Sequence, residues 1–114
     1  MEINPKTFAI AMTRGDSESI TVKKKNDVWT SGDVITLTVR TDAEGDVAFQ
    51  KAVSEFDGEG AAVIAIERAD TEGLDFGQYV YDIQYADANG KVRTLIPPRP
   101  GRLPRFTLTE EATY

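Results

Sequence analysis

Apolar and polar residues alternate along most of this chain, with the two-residue period of a strand that has one face buried and one face wet. Phe8, Ile10 and Met12 alternate with Thr7, Ala9 and Ala11. Ile20 and Val22 alternate with Thr21 and Lys23, and Ile35, Leu37 and Val39 with Thr36, Thr38 and Arg40. Asp46 to Val53 carries a weaker pattern that suits an edge strand. Ala62, Ile64 and Ile66 mark the next strand, and Tyr79, Tyr81, Ile83 and Tyr85 alternate with Val80, Asp82 and Gln84. Val92 to Ile96 and Phe106 to Leu108 complete the set. No segment holds a helical period for three turns, and Asp70 to Leu74 predicts a single helical turn between strands. The expected core includes Leu37, Ile64, Tyr79 and Ile83.

Turn residues separate these runs: Arg14-Gly15-Asp16, Ser31-Gly32-Asp33, Glu44-Gly45-Asp46, Asp57-Gly58-Glu59-Gly60 and Asp87-Ala88-Asn89-Gly90. Gly, Asn and Asp tolerate the positive φ that tight hairpin turns require. Asn89-Gly90, between two alternating runs, is the strongest of these hairpin signals. Seven to eight short strands with regular turns predict an all-β fold, an antiparallel sandwich or small barrel. Asp75-x-Gly77-x-Tyr79 favours the sandwich over the barrel, because it has the spacing of a tyrosine corner at the start of an immunoglobulin-like F strand. Tyr81 stands where antibody domains carry cysteine, and Trp29 precedes the Ile35 strand instead of lying within it. Pro97, Pro98, Pro100 and Pro104 interrupt the rhythm, since proline cannot donate to a ladder; that stretch predicts an extended connection before the last strand.

With 114 residues, the chain is expected to form one domain spanning 1–114. It has no cysteine, which excludes disulfides, thiolate metal sites and thiol nucleophiles. It has no histidine, which removes the commonest general base and the serine triad. A pair of carboxylates could still hydrolyse glycosides, but such sites sit in larger folds with a cleft. The expectation is a protein that is not an enzyme and needs no cofactor. A net charge of −6 disfavours nucleic acid and anionic lipid, which bind through Lys and Arg. No apolar run approaches the roughly 18–20 residues of a membrane span, and the first residues lack a signal-peptide core, so the expected location is the cytoplasm or an assembly built from it.

Four short motifs have ordinary explanations. Arg14-Gly15-Asp16-Ser17 spells an integrin-binding string but falls where a turn is expected. Glu55-x-Asp57-x-Glu59-Gly60 starts like a calcium loop, yet the twelfth position, where a bidentate Glu is needed, holds Ile66. Asp70, Glu72 and Asp75 could do acid–base work only in a cleft that raises one pKa. Pro97-x-x-Pro100-x-Arg102 matches a proline-rich ligand, though an inter-strand crossover explains it as well.

Charge placement is more informative. Arg93, Arg99, Arg102 and Arg105 crowd together, and no acid lies between Lys91 and Thr109. Lys23, Lys24 and Lys25 form a second basic run. One basic edge on an acidic chain suits head-to-tail contact with further copies; the alternative is a solvated edge strand protected by its charge. The four arginines are the interface candidates.

Phe8-Ala9-Ile10 leading to Arg14-Gly15-Asp16-Ser17 and Ile20-Thr21-Val22, the run Gly32 to Arg40, and the run Asp70 to Gln84 share a pattern with Gly90-x-Val92-x-Thr94-Leu95. Together they resemble small phage and prophage structural proteins, in particular the N-terminal domain of phage baseplate upper proteins. The resemblance implies a scaffold or connector module of a tail or baseplate, with an Ig-like sandwich, no catalytic residues, and other virion proteins or further copies as partners. The alternative is a stand-alone sandwich that binds carbohydrate or calcium through its Asp-rich loops.

Overall fold

A computed structural model of the chain describes residues 7–23, 29, 32–42, 45–56, 60–75, 77–97 and 103–109. These residues form β1 (Ile10–Thr13), β2 (Glu18–Val22), β3 (Val34–Arg40), β4 (Val47–Val53), β5 (Ala62–Ile66), α1 (Arg68–Thr71), β6 (Gly77–Ala86), β7 (Val92–Ile96) and β8 (Arg105–Thr109). The larger sheet has the order β1-β8-β6-β3-β4, with β7 also paired to β6; β2 and β5 make a second, two-stranded sheet. The described residues are therefore mostly β, with their strands in two sheets and one short helix.

The alternation in the sequence sets the burial. Ile35, Leu37 and Val39 of β3, Tyr79, Tyr81 and Ile83 of β6, and Phe106 and Leu108 of β8 point into one core. Ile20 and Val22 of β2 and Ala62, Ile64 and Ile66 of β5 meet them from the smaller sheet. The expected core residues Leu37, Ile64, Tyr79 and Ile83 are all buried. Two five-residue strands cannot cover a six-stranded sheet, so Trp29 closes part of the gap. Its indole N–H donates to the Val22 carbonyl at 3.0 Å, and its backbone N–H donates to Gly60 at 3.0 Å. Its ring lies 5.0 Å from Tyr85 and 6.5 Å from Phe56.

The expectation of a purely antiparallel arrangement does not hold. β1 runs parallel to β8, with Ile10 opposite Phe106 and Thr13 opposite Thr109. Alternation reports which side of a strand is buried, not the direction of its neighbour. These strands come from opposite ends of the chain, so no turn fixes their sense. The helical turn also starts two residues earlier than expected, at Arg68, where the Asp70 carboxylate accepts the Glu67 backbone N–H at 2.8 Å.

β6 is ten residues long and carries partners on both edges. β3 lines one edge from Val80 to Ala86. On the other edge, β7 pairs with Ile83 to Ala86 and β8 with Gly77 to Val80. Three steps along β6, from Val80 to Ile83, correspond to nine along the facing chain, from Arg105 back to Ile96. β7 and β8 thus share that edge as two pieces of one broken strand; of the proline-containing segment between them, expected to be an extended connection, residues 98–102 lie outside the described residues. Its last residue, Pro104, uses its carbonyl, since it has no N–H, to accept from Tyr81 at 3.0 Å.

Two tyrosines on β6 tie distant chain to the core. The Tyr79 hydroxyl donates to the Asp75 carbonyl at 2.9 Å, closing the expected tyrosine corner. The fully buried Tyr81 donates to the Phe8 carbonyl, and Phe8 holds a φ of 61°, a left-handed conformation unfavourable for a bulky residue. Burial pushes the Tyr81 hydroxyl above its ordinary value. Burial, and after it the Asp75 charge, raises Tyr79 too, against the lowering effect of the Asp75 backbone bond.

Leu37→Ala or Ile83→Ala is expected to cost about 2–5 kcal/mol in urea unfolding, and Tyr79→Phe about 1 kcal/mol. An unchanged midpoint for Tyr79→Phe would dismiss the corner bond as a source of stability. The raised tyrosine values also set a pH dependence. The fold prefers the neutral phenol, so its contribution is whole below the unfolded value of about pH 10 and is lost as pH rises through the folded values. Stability should fall above that point, and less steeply in Tyr81→Phe; equal slopes for the two proteins would rule out the buried phenol as the cause.

Candidate functional site

The inner face of the larger sheet is filled, and its outer face is not covered by any described element. On β6, the residues that alternate with Tyr79, Tyr81 and Ile83 point outward: Gln78, Val80, Asp82 and Gln84. Cross-strand register carries that face across the sheet. Val80 lies between Arg40 of β3 and Arg105 of β8, and Arg40 is followed by Val47 at the β4 edge. Asp82 lies beside Thr38, and Thr38 beside Gln50, whose amide donates to the Thr38 hydroxyl at 2.9 Å. Gln84 lies between Thr36 and Thr94, and Ala86 between Val34 and Val92.

Of all the strand residues on this outer face, Arg40, Asp82 and Arg105 alone are charged. The rest are Thr, Gln, Val and Ala, in a chain whose charged residues make up 28% of the total. The other charged strand residues are Glu18 of β2, and Lys51 and Arg93 on the inner side of the larger sheet. Asp82 sits diagonal to both arginines, at the distance where long side chains still reach one another. It is half-buried, and that burial pushes its carboxyl up, with Arg40 pulling it partly back. Val47 at 47% and Val92 at 59% exposure leave apolar surface at opposite margins of the face.

Beside Arg105 the broken edge opens a cleft of about 410 Å³, lined by Thr7, Ala9, Leu103, Pro104 and Arg105. It forms where the approach to β1 meets Leu103 and Pro104, just before β8. Among the described residues Arg105 makes no ion pair.

The four candidate arginines do not form one patch in what the structure describes. Arg93 pairs with Tyr85 and Arg105 with Val80. Tyr85 and Val80 are an odd number of residues apart, so the two exposed arginines project from opposite faces of the sheet. Arg99 and Arg102 lie outside the described residues. So do Lys24 and Lys25 of the second basic run, while Lys23 is exposed.

The other motifs are placed as follows. Arg14 to Ser17 is the β1–β2 turn: the Asp16 N–H donates to Thr13 at 3.1 Å, and the Arg14 guanidinium donates to the Leu74 carbonyl at 3.1 Å. Gly15, at a φ of 85°, donates to the buried Thr71 hydroxyl at 2.9 Å. The β1–β2 turn is thereby bolted to α1. The three carboxylates before β6 have separate tasks. Asp70 pairs with Lys51 at 3.2 Å and Glu72 with Arg68 at 3.2 Å, while Asp75 contributes its carbonyl to the tyrosine corner. Of the calcium-like loop, Asp57 to Glu59 lie outside the described residues; among those described, no three acids gather to hold a metal ion. No described helix is long and apolar enough to cross a membrane.

Sequence reasoning missed the outer face because alternation identifies only the wet side of each strand. Which wet sides join, and that Asp82 falls between two arginines, depends on register. Compared with known protein families and with curated proteins, the chain matches none.

The Asp82 shift gives a signed prediction. Its folded value lies above the ordinary carboxylate value, so the fold prefers the protonated acid. That contribution is present below about pH 4 and is lost as pH rises through the folded value. Ionised Asp82 therefore weighs against the fold at neutral pH. Asp82→Asn should raise the urea midpoint at neutral pH, and the gain should shrink toward acid pH. A lowered midpoint at neutral pH would mean that attraction to Arg40 outweighs desolvation.

Proposed function

We propose that this domain is a non-catalytic structural module that acts through its surface, as a connector or scaffold in the tail or baseplate of a phage or prophage particle. In this reading the fold is an Ig-like β-sandwich and the partners are other virion proteins or further copies of the chain. The observation that carries the fold part is the strand order. A sheet β1-β8-β6-β3-β4 over a pair β2-β5, with a tyrosine hydroxyl closing the start of β6, supports an immunoglobulin-like reading of the order A′-G-F-C-C′ over B-E. The parallel contact of β1 with β8 belongs to that plan. Support for the particle part comes from the sequence resemblance in the runs Phe8 to Val22, Gly32 to Arg40 and Asp70 to Gln84. A sheet face with few charges, which no described element covers, suits a module whose work is to hold neighbours.

The test is quantitative mass spectrometry of gradient-purified particles from an induced source strain. The chain should band with the particles at a fixed ratio to the other tail proteins. Recovery only from the particle-free fraction would overturn the particle assignment.

A further inference from the structure

We propose that two copies of this chain pair through the outer face of the larger sheet, around Asp82 and Arg105, to form a two-fold dimer. The inference goes beyond the particle reading and does not depend on it.

Three features of the face support a second copy as its occupant. The first is composition. Strand positions that face water in this protein could carry any polar residue, yet the outward positions of the larger sheet hold no Lys and no Glu. Interface centres are depleted in Lys, Glu and Asp and retain Arg. The second is the arrangement of the three charges. A two-fold contact brings one patch against an identical patch, so a surface that holds both signs at neighbouring positions can complement itself. Here one anion, Asp82, lies diagonally between two cations, Arg40 and Arg105. Arg40 is half-buried and acts on Asp82 of its own chain through its charge, without an ion pair among the described residues. Of the two cations Arg105 is the exposed one, so it is the one placed to reach Asp82 of the partner copy, twice over by symmetry.

The third is the contrast with the strand edges. β4 borders the larger sheet, but its central Lys51 shares the inward face with Leu37 and pairs with Asp70. An inward-facing charge on an edge strand works against the addition of another strand. The face thus remains open where the β4 edge is guarded. Val92 and Val47 at its margins would lose water-exposed apolar surface in the dimer.

Sedimentation velocity and native mass spectrometry of the full chain, over a micromolar concentration series, test the pairing. The wild type should be a dimer. Asp82→Arg should weaken it by about tenfold or more, the scale of one lost interfacial charge contact at each symmetric position. Arg105→Asp should do the same, and the double exchange Asp82→Arg with Arg105→Asp should recover most of the loss. Thr94→Arg, at an exposed position on the same face, disrupts the contact without touching the half-buried acid, which covers the case in which Asp82→Arg fails to fold. Val63→Arg, on the outer face of the smaller sheet, should leave the dimer intact, and circular dichroism should show each variant folded. A wild-type monomer throughout the series would overturn the proposal. So would an oligomer that survives Thr94→Arg and dissociates with Val63→Arg, or a chain that assembles only with a different protein. A dimer found in a chain absent from particles would leave this inference standing and remove the particle assignment; a monomer found in particles would do the reverse.

Discussion

A ten-residue strand in the middle of a sheet must satisfy its backbone N–H and C=O groups on both edges, and β6 is where this protein meets that demand. β3 supplies one edge in nearly full register. The other edge needs two pieces, β7 from the hairpin and β8 after Pro104. Pro104 can serve because the edge asks it for an acceptor at Tyr81, not a donor. β1 then lies on β8, and Tyr79 and Tyr81 fasten the incoming chain at Asp75 and Phe8. Most of the larger sheet is built outward from this one strand.

The two layers are unequal, and that inequality shapes the surface. Two strands face six, so the core is completed at its sides by Trp29, Phe56 and Leu74, and the Lys51–Asp70 pair joins β4 to α1. Nothing described packs on the outer side of the larger sheet. A face of that breadth could have been solvated by lysines and glutamates. It carries threonine, glutamine and valine around one acid and two arginines instead, and the acid is half-buried by its neighbours. Burial of Asp82 penalises its charged form, and the nearby Arg40 charge offsets part of that penalty.

Much of the fold was legible in the chain. Alternation located every strand, including the weakly patterned β4, and Asp75-x-Gly77-x-Tyr79 announced the bond that Tyr79 makes. Less of the site was legible. Arg93 and Arg105 lie close in sequence and far apart in effect, since they face opposite sides of the sheet. Asp82 drew no notice beside the clustered Asp70, Glu72 and Asp75, each of which has a local structural task. A carboxylate on a strand gives no signal of its neighbours until the flanking strands are in register.

Periodicity, turn chemistry and the absence of cysteine and histidine follow from local covalent structure and composition, and so the sequence by itself determined the strands, their buried sides and the chemistries this chain cannot perform. The parallel pairing of β1 with β8, the sharing of one edge of β6 by β7 and β8, and the placement of Asp82 between Arg40 and Arg105 were decided only by tertiary structure. Those contacts join segments that no turn links, and hydrogen-bond register alone fixes which side chains they bring together.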